Sequence, residues 1–405
     1  MRGEKREPVA VFDARWIKPT PSGIGVCARE LIIRLPFLRP DYRFIVLYQD
    51  EAVREALAKR FSAAGDRVRF EALPYGPFSP WSQIRLPLLL RRWGATLFHA
   101  PNFQIPFLAF PAGRFGRIRC LATIHDVIPL VVPDYAPSSR TAKMRGVYRF
   151  CLRQAARRAD ALLTVSNCSR RDLTKVLELG VRDQARIHVI YNGVDEAFHA
   201  DGRAPIRALS DPAPRTLLYV GRMDPYKNIP ALVQALAGIR GKLPFPVRLV
   251  VAGPTDERYP EASQLVRQLG IAEAVEFTGS IPFRRLVELY RTADLLVHPS
   301  CYEGFGLQLV EAMRSGLPVL CTDGGSAAEI VGDAARIVPL QSSCDFADRL
   351  GESMIDLFLH PEALQELQIA GLARGNRFTW DRAAREIASL YESCAVDATT
   401  HSKKL

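Results

Sequence analysis

The sequence predicts an α/β protein with two doubly wound domains, each built on a parallel sheet with helices on both faces. Short β-rich runs alternate with helical stretches along almost the whole chain, which is typical of βα units and parallel sheets. The alternation is interrupted once, by the Pro-, Ala- and Asp-rich segment from Asp195 to Arg215, which indicates a linker. The length of 405 residues also suits two domains of ordinary size.

The predicted strands form two series, one on each side of this linker. The first is "PVAVFDA", "YRFIVLY", "RVRFEAL", "TLFHA", "CLATIHD", "ALLTVS" and "IHVIY"; the second is "TLLYVG", "PVRLVVAG", "AVEFTG", "DLLVHPS", "LPVLCT" and "ARIVP". We expect an N-terminal domain over residues 1–200 and a C-terminal domain over 201–376. A helix at 377–395 can cross back to the first domain, and residues 396–405 are expected to be a disordered tail.

Composition and charge restrict the class of protein. The apolar content of 48% is that of a globular protein, and no apolar run approaches the ~18–20 residues that span a bilayer. The N-terminus lacks the apolar centre of a signal peptide, so we expect a cytoplasmic protein. The eight cysteines include no C-x-x-C pair and are expected to be reduced thiols. The net charge of +11 favours an anionic partner: nucleic acid, a membrane surface or a phosphorylated ligand.

Two strand-to-helix junctions in the second half carry charged residues beside glycines. After "TLLYVG", the segment "GRMDPYKN" places Arg222 and Lys227 before a helix, where cations and free backbone N–H groups suit a diphosphate. The alternative is a solvated turn with ordinary surface cations. After "DLLVHPS", Gly304 and Gly306 precede the helix "LQLVEAMRSG" and let the backbone approach a ligand closely.

Two glutamates bracket that glycine turn. Glu303 stands before the helix start and Glu311 lies about 7.5 Å further along the helix. A carboxylate beside a phosphate-binding helix end is expected to accept hydrogen bonds from hydroxyls, so the pair suits a ligand with hydroxyls on both sides of a phosphate. A nucleotide sugar has that layout. The alternatives are a helix-terminus charge for Glu303 and an exposed helix face for Glu311.

A third junction, "DGGSAAEIVGDAA", places Gly324 and Gly325 before a short helix that contains Glu329. Three glycine-marked helix starts in one domain indicate a single phosphorylated, polyhydroxylated ligand.

These segments carry a family resemblance. "GRMDPYKN", "HPSCYEGFGLQLVEAMRSGLPVL" and "DGGSAAEIV" resemble, in order and spacing, the donor-binding signatures of retaining glycosyltransferases of family 4. "VIYNGVDEAF" and "TVSNCSRRDL" resemble the family too. The resemblance covers nearly the whole chain and is sharpest from Gly221 to Val331. It implies the GT-B fold, in which two doubly wound Rossmann-like domains face an interdomain cleft.

The resemblance also implies roles for residues of the second half. Arg222 and Lys227 would stabilise the leaving nucleoside diphosphate, and Glu303, as the first glutamate of the E-x7-E motif, would contact the transferred sugar. Glu311 would hold the ribose hydroxyls. The turn Gly304, Phe305, Gly306 and Leu307 would bind the donor mainly through its backbone. "GGSAAE" departs from the family, which often has proline before the glutamate.

In the first half, "TPSGIGVCAREL" has the form G-x-G-x-x-A through Gly23, Gly25 and Ala28, with Asp50 after the next strand. A dinucleotide fingerprint is one interpretation, although "RWIKPTPS" separates the glycines from their strand. The resemblance implies instead a glycine-rich loop that faces the donor phosphates. Val26 and Cys27 stand where many members have Arg-Tyr.

The segment "TIHDVIPL" places His125 at the carboxyl end of a strand, where sites gather. The resemblance implies that His125 approaches the transferred sugar, and a satisfied histidine in a strand-end turn is the alternative. His99 is explained equally well by packing.

No D-x-D motif occurs, so a metal that bridges the diphosphate is not indicated and cations with helix ends would neutralise the leaving group. By resemblance, the reaction takes place on one face of the sugar.

"DARW", "SGIG" and "TIHDVIPL" are similar to bacterial mannosyl- and hexosyltransferases of surface polysaccharide assembly, so GDP-mannose is the first expected donor and a glycan or polyprenyl-linked molecule the acceptor. A nucleotide-sugar epimerase of the same fold, a non-catalytic scaffolding relative and an NAD oxidoreductase are the alternatives; nucleic acid is not an expected partner.

The segment from Arg140 to Arg158 contains seven basic residues and no acidic one. Its stripe Arg145, Arg149, Arg153 and Arg157 recurs every fourth residue and therefore occupies one side of a helix. The stripe is either a solvated face or a peripheral contact with anionic lipid or a lipid-linked pyrophosphate.

Overall fold

A computed structural model describes residues 7–19, 22–112, 116–133, 135–340 and 345–401. Two compact units make up the chain. Unit 1 contains Met1–Val127, Met144–Gly193 and Trp380–Leu405, and unit 2 contains Ile128–Lys143 and Val194–Thr379. Within the described ranges, no helix combines the length and apolar character that crossing a membrane requires.

Unit 1 is built on a seven-stranded parallel sheet in the order β3-β2-β1-β4-β5-β6-β7. Its strands are β1 Val9–Asp13, β2 Arg43–Tyr48, β3 Val68–Ala72, β4 Leu97–Ala100, β5 Arg119–Thr123, β6 Ala161–Thr164 and β7 Ile187–Val189.

Unit 2 is built on a six-stranded parallel sheet in the order β10-β9-β8-β11-β12-β13. Its strands are β8 Arg215–Val220, β9 Val247–Ala252, β10 Val275–Gly279, β11 Leu295–His298, β12 Val319–Thr322 and β13 Arg336–Val338. Each of the two predicted strand series is thus found as a sheet, and the predicted α/β class is confirmed.

Helices lie between most successive strands. In chain order they are α1 Gly23–Ile32, α2 Leu35–Leu38, α3 Glu51–Arg60, α4 Pro80–Arg92, α5 Ile128–Val131, α6 Arg140–Lys143, α7 Arg145–Arg158, α8 Asn167–Leu177, α9 Val181–Gln184, α10 Ile229–Ile239, α11 Glu261–Gln268, α12 Phe283–Thr292, α13 Leu307–Arg314, α14 Ala327–Val331, α15 Phe346–Leu359, α16 Pro361–Gly375 and α17 Trp380–His401. Short 3-10 turns lie between several of them.

Local sequence explains where these elements form. The central strands β4, β5, β6, β8, β11 and β12 are buried along their whole length, as expected for parallel strands with helices on both faces. Serine side chains cap two helices of unit 1: Ser22 Oγ accepts from the Gly25 N–H at α1, and Ser166 Oγ from the Ser169 N–H at α8.

Helix α17 belongs to unit 1. Asp381 accepts a hydrogen bond from the Arg34 guanidinium at 2.6 Å, and the Tyr391 carbonyl accepts one from Tyr42 Oη at 3.1 Å. The helix extends to His401 and so includes residues 396–401 of the expected tail. Residues 402–405 of that tail lie outside the described residues.

The segment Ile128–Lys143 belongs to unit 2, although it precedes the expected linker by more than 50 residues. Its backbone N–H of Ser138 donates to Tyr259 Oη at 3.2 Å, and the ring of Tyr135 lies 5.4 Å from that of Tyr226. Contacts with residues distant in sequence therefore decide where this segment lies.

The strand order of each sheet reverses once, between β1 and β4 in unit 1 and between β8 and β11 in unit 2. In unit 2 the register pairs Leu217 with Leu295 and Leu218 with Leu296. Loops that leave the carboxyl ends of such a strand pair diverge to opposite faces of the sheet, and the space between them is where ligands bind in open α/β sheets.

Candidate functional site

Three loops leave the carboxyl edge of the sheet in unit 2 after the neighbouring strands β8, β11 and β12. We name them the β8 loop (221–228), the β11 loop (299–306) and the β12 loop (323–326). Backbone hydrogen bonds join them: the Cys301 N–H donates to the Tyr226 carbonyl at 2.7 Å, and the Ser326 N–H donates to the Glu303 carbonyl at 2.9 Å. The predicted donor-site residues of the second half therefore lie on connected loops, or on the helix that follows one of them.

Lys227 ends a short 3-10 turn in the β8 loop and is only 7% exposed. Its Nζ lies 2.6 Å from Glu303 Oε1. Because a buried ammonium group is strongly unfavourable without a partner, this ion pair explains how the side chain is accommodated. A solvated turn with surface cations, the alternative considered for this segment, does not describe Lys227.

Glu303 lies at the centre of the cluster and is 6% exposed. Its Oε1 accepts hydrogen bonds from Lys227 Nζ and from His298 Nε2, the latter at 2.7 Å. His298 is the last residue of β11 and is completely buried. Glu303 is therefore an internal carboxylate held by two donors, and not merely a charge at a helix terminus.

The charges of this cluster support one another. Burial raises the pKa of the Glu303 carboxyl, but Lys227 and His298 outweigh that effect and hold the pKa well below its ordinary value. Burial lowers the pKa of Lys227, and the adjacent Glu303 carboxylate more than compensates, so its pKa is raised. Both groups are consequently ionised at neutral pH.

The hydrogen bond to Glu303 requires a proton on one particular ring nitrogen of His298. An ionised carboxylate can only accept, so Nε2 of His298 carries a proton. Its Nδ1 is buried and has no hydrogen-bond partner among the residues that the structure describes. His298 therefore directs one N–H at Glu303.

The β12 loop supports the backbone of Glu303. A Cβ atom on Gly324 would lie 2.6 Å from the Cys301 carbonyl oxygen, and one on Gly325 would lie 2.6 Å from Glu303 N. Gly325 also has a φ of +65°, which favours glycine. The sequence marks these glycines as a helix start near a phosphorylated ligand; the structure adds that the side on which a Cβ would lie is occupied by the β11 loop.

The glycine turn of the β11 loop ends at Gly306, whose φ is +80° and which precedes the first turn of α13. Phe305 is 5% exposed, and its ring packs against that of Phe378 at 5.8 Å. Leu307 is half-buried at the start of α13. The Phe305 side chain is therefore occupied by packing, and a ligand at this position would contact the backbone.

Glu311 lies on α13 and has a partner of its own. It is half-buried, and its Oε2 accepts a hydrogen bond from Tyr290 Oη at 2.7 Å. Burial raises the pKa of Glu311 to about 7, although the Tyr290 hydrogen bond acts in the opposite direction; the Asp195 charge contributes to the increase. Glu311 therefore differs from Glu303 in partner and in titration.

Arg222 is the exposed member of the β8 loop, with 62% of its side chain accessible. Its guanidinium contacts the buried Asp224, with Nε 3.1 Å from Oδ2 and Nη2 3.2 Å from Oδ1. The structure thus separates the two predicted cations: Lys227 is buried against Glu303, whereas Arg222 points to solvent beside Asp224.

His125 lies in unit 1, after β5, and is half-buried. Its Nε2 donates a hydrogen bond to the Pro101 carbonyl at 2.9 Å, and its own carbonyl accepts from Ser169 Oγ at 2.9 Å. Burial lowers the pKa of this imidazole, while the bond to Pro101 acts against that effect. A neutral ring that donates through Nε2 leaves Nδ1 as an acceptor.

Gly23 and Gly25 lie in the first turn of α1, also in unit 1. A Cβ atom on Gly25 would lie 3.1 Å from both Ser22 Oγ and the Trp16 carbonyl oxygen. Asp50, the acid of the possible dinucleotide fingerprint, caps α3 by accepting a hydrogen bond from Val53 N. That capping role accounts for Asp50 without a ribose ligand.

Sequence reasoning missed two residues of the site, His298 and Tyr290. His298 ends a buried strand five residues before Glu303, and a polar residue in the apolar run "LLVH" was the available signal. Tyr290 had no such signal, because it lies on α12, 21 positions before Glu311, and meets it only through tertiary packing. Among the residues that the structure describes, no group of three or more His, Cys, Asp or Glu side chains could hold a metal ion.

Two units, each built on a parallel sheet with helices between its strands, are the architecture of GT-B glycosyltransferases. Family models agree: the model described as "Glycosyltransferase Family 4" matches residues 21–198, and "Glycosyl transferases group 1" matches residues 205–372. The chain belongs to the glycosyltransferases of family 4, and it is a glycosyltransferase enzyme.

Two relatives of the chain are named as glycosyltransferases. The chain is 28% identical to O-antigen chain mannosyltransferase B of Escherichia coli over 401 residues, 94% of this chain and 99% of that one. It is 33% identical to D-inositol 3-phosphate glycosyltransferase of Rhodococcus erythropolis over 362 residues, 82% of this chain and 79% of that one.

Solved structures share the fold over nearly the whole chain. Sucrose-phosphate synthase from Thermosynechococcus elongatus matches with a TM-score of 0.71 at 20% identity, covering 97% of this chain and all of that one. Anabaena HepE in complex with UDP-glucose matches with a TM-score of 0.68 at 20% identity, covering 95% and 99% of the two chains.

Proposed function

We propose that the protein is a retaining, metal-independent hexosyltransferase that moves mannose from a nucleotide sugar, first of all GDP-mannose, to a glycan or polyprenyl-linked acceptor. The observation that carries the proposal is the buried Lys227–Glu303 ion pair between the β8 and β11 loops. It places a fixed cation and a fixed anion beside a side-chain-poor turn. The name of the Escherichia coli relative supports mannose as the sugar.

Lys227 and Arg222 are the proposed stabilisers of the leaving nucleoside diphosphate. An ammonium group has three donors, and Lys227 uses one of them on Glu303, so two protons can serve phosphate oxygens. Arg222 is exposed and can turn its planar guanidinium from Asp224 to a phosphate. A preorganised cation in a buried place acts more strongly on developing charge than one in water.

Glu303 is the proposed contact of the transferred sugar. The hydrogen bonds from Lys227 and His298 fall on Oε1, and Oε2 would accept from a sugar hydroxyl. Its negative charge would also stabilise the positive charge that develops at the anomeric carbon as the phosphate leaves. Both roles require the ionised form, which the low pKa of Glu303 favours.

The remaining donor contacts are assigned by the same proposal. Glu311 would accept hydrogen bonds from the ribose hydroxyls, and the backbone from Gly304 through Gly306 to Leu307 would approach the phosphates and the sugar. His125 and the glycines Gly23 and Gly25 keep the roles that the resemblance implies, contact with the sugar and with the phosphates.

The proposed step occurs on one face of the sugar. The bond between the anomeric carbon and the phosphate oxygen breaks, a bond from that carbon to the acceptor oxygen forms on the same face, and the acceptor proton passes to the departing phosphate. The anomeric configuration is therefore retained.

We also propose a peripheral membrane contact on the cytoplasmic side through Arg145, Arg149, Arg153 and Arg157, which would bring the enzyme to a lipid-linked acceptor.

A donor screen tests the proposal. Thermal unfolding with GDP-mannose, UDP-glucose, UDP-N-acetylglucosamine and the free nucleotides should show the largest increase of Tm with GDP-mannose. Mannose should then be transferred to an added acceptor with retention, which NMR of the product detects. Conversion of the donor alone into an epimer would instead indicate an epimerase, and binding without any turnover a non-catalytic relative. Preference for a UDP-sugar would overturn the choice of donor.

A further inference from the structure

The positive charge of the chain is concentrated in one segment. Residues 72–159 contain 13 basic and two acidic side chains, a net charge of +11, which equals the formal net charge of the whole chain. The rest of the sequence is therefore balanced. The segment includes α4, the 3-10 turn Phe107–Ala109 and α7.

Helix α4 has an unusual outer face. Ser82, Leu86 and Leu90 are buried on its inner face, as expected for a helix that covers a sheet. Its outer face exposes large apolar side chains and arginines together, and α4 has no acidic residue. The apolar ones are Trp81, Ile84 and Leu88, which are 56%, 53% and 61% exposed, and the basic ones are Arg85, Arg91 and Arg92.

Elements that neighbour α4 in unit 1 expose further large apolar side chains. Gln83 of α4 donates through Nε2 to the Ile105 carbonyl at 3.0 Å and accepts from the Phe107 N–H at 2.7 Å. The ring of Phe107 lies 6.3 Å from that of Phe150 on α7. The 3-10 turn exposes Leu108, which is 69% exposed, and α7 exposes Val147 and Phe150, which are 53% and 55% exposed.

The arginine stripe of α7 contributes less than its sequence suggests. Arg149 Nη2 donates to the Val176 carbonyl of α8 at 2.7 Å, and Arg153 Nη2 lies 3.9 Å from Glu178. Two of the four arginines are thus turned toward α8. The arginines of α4 stand directly among the exposed apolar residues, and the Arg85 guanidinium lies 5.6 Å over the Trp81 ring.

We propose that this α4 surface, defined by Trp81, Ile84, Leu88, Leu108, Val147 and Phe150 with Arg85, Arg91 and Arg92, docks on an anionic lipid bilayer. The apolar side chains enter the interfacial region and the arginines bind headgroup phosphates, which is how amphipathic basic surfaces attach to membranes. The charge argues for this occupant, because an anionic bilayer offers apolar and negative surface together over a wide area.

The inference deepens the proposed function, since it rests on a lipid-linked acceptor for its purpose and moves the main contact from α7 to α4. Docking itself is measured without any donor or acceptor. A failure of docking and a failure of the proposed transfer are therefore observed separately.

Vesicle co-sedimentation tests the α4 surface in the full-length chain. Wild type should bind vesicles of phosphatidylcholine with one third phosphatidylglycerol, bind pure phosphatidylcholine weakly, and dissociate at high salt. The triple variant W81S/I84S/L88S should bind the anionic vesicles at least about tenfold more weakly. The matched control V181S/L269S/I369S removes exposed apolar residues elsewhere, which are 85%, 41% and 62% exposed, and should bind like wild type.

Charge is tested in the same way. R85Q/R91Q/R92Q should lose anionic-vesicle binding, whereas K59Q/R60Q/K242Q, with the same change of charge at exposed positions elsewhere, should retain most of it. The Trp81 fluorescence should shift to the blue with vesicles, and W81F should abolish that shift. Circular dichroism and turnover with a water-soluble acceptor should be the same for wild type and for both α4 variants.

Three results would overturn the inference. One is absence of wild-type binding to anionic vesicles, and another is equal binding by W81S/I84S/L88S and its control. The third is a wild-type dimer in solution that the α4 triple variant dissociates, because a second copy would then be the occupant of this surface.

Discussion

Lys227 Nζ lies 2.6 Å from Glu303 Oε1, and this ion pair joins the loops that follow the adjacent strands β8 and β11. Both partners are buried, and they are 76 positions apart in the sequence. Removal of one member of a buried pair leaves the other charge without compensation, which typically costs about 3–5 kcal/mol. Tests of either residue must therefore separate loss of chemistry from loss of stability.

A double-mutant cycle makes that separation. E303Q and K227M should each lower kcat by about 100-fold or more and lower the free energy of unfolding by about 3 kcal/mol. The double variant K227M/E303Q should be destabilised by clearly less than the sum of the two, because neither buried charge remains, while kcat stays low. Urea unfolding and steady-state kinetics measure both quantities.

The exposed pair Arg285 and Glu288, whose side chains are 51% and 56% accessible, is the control. The corresponding cycle with R285M and E288Q should give a coupling energy below about 1 kcal/mol. Strictly additive destabilisation by K227M and E303Q would contradict the coupling, and a loss of kcat under tenfold in K227M would contradict its role at the leaving group.

We predict that His298 positions the Glu303 carboxylate and lowers its pKa without contacting the donor. H298L removes one hydrogen bond and a positive influence, so the pKa of Glu303 should rise. The acid limb of kcat at saturating donor, where the bound ribose keeps Glu311 ionised, should then move to higher pH. H298Q keeps an N–H donor and should restore part of the activity. A purely structural role would lower activity equally at every pH, and that outcome would reject the positioning role.

Gly325 should be required for the position of Glu303. G325A adds a methyl group 2.6 Å from Glu303 N at a φ of +65°, so it should lower both stability and kcat. Gly270 has nearly the same φ, +64°, and open space around its Cβ position. G270A should therefore lose only about 1 kcal/mol of stability and retain kcat. Equal kcat for the two variants would contradict the supporting role of the β12 loop.

Donor affinity should depend on pH through Glu311. Because its pKa is raised to about 7, the carboxyl is mostly protonated at pH 6 and mostly ionised at pH 8. Ribose hydroxyls donate to the ionised form, so GDP-mannose should bind more tightly at pH 8 than at pH 6. Calorimetry at the two values measures the difference, and E311Q should abolish it.

Tyr290 provides a directional control for the same titration. Its hydroxyl stabilises the ionised carboxylate, so Y290F should raise the pKa of Glu311 further and move the midpoint of the pH dependence upward. The folded-state pKa lies above the ordinary value of 4.5, so the contribution of Glu311 to stability is largest below that value and is lost as the pH rises through about 7. A pH-independent affinity in wild type would contradict the ribose role.

Chelation tests the metal-free mechanism. Dialysis against EDTA should leave kcat and the donor KM unchanged, since Lys227 and Arg222 are proposed to neutralise the diphosphate. Recovery of activity only on addition of Mg²⁺ or Mn²⁺ would contradict this mechanism.

Much of the fold and part of the site could be predicted from local sequence. Most strands in the described part of the chain are short apolar runs bounded by turn residues, and for the central strands that pattern follows from burial between two helix layers. Lys227, Glu303 and Glu311 could be proposed as candidate site residues because they lie beside glycine-containing strand-to-helix junctions. The apolar outer face of α4 could not be identified in this way, because an apolar helix is compatible with the core and with the surface alike.

The sequence by itself determined the two parallel sheets, the order of the strands along the chain and the residues at the three loop junctions. Only the tertiary structure decided which of those residues meet. The strand order brings β8 beside β11, so that Lys227 contacts Glu303, and the tertiary structure brings Tyr290 of α12 within hydrogen-bond distance of Glu311 on α13. It also placed the β12 glycines against Glu303, because close backbone approach is a property of neighbouring loops and leaves no periodicity in the sequence.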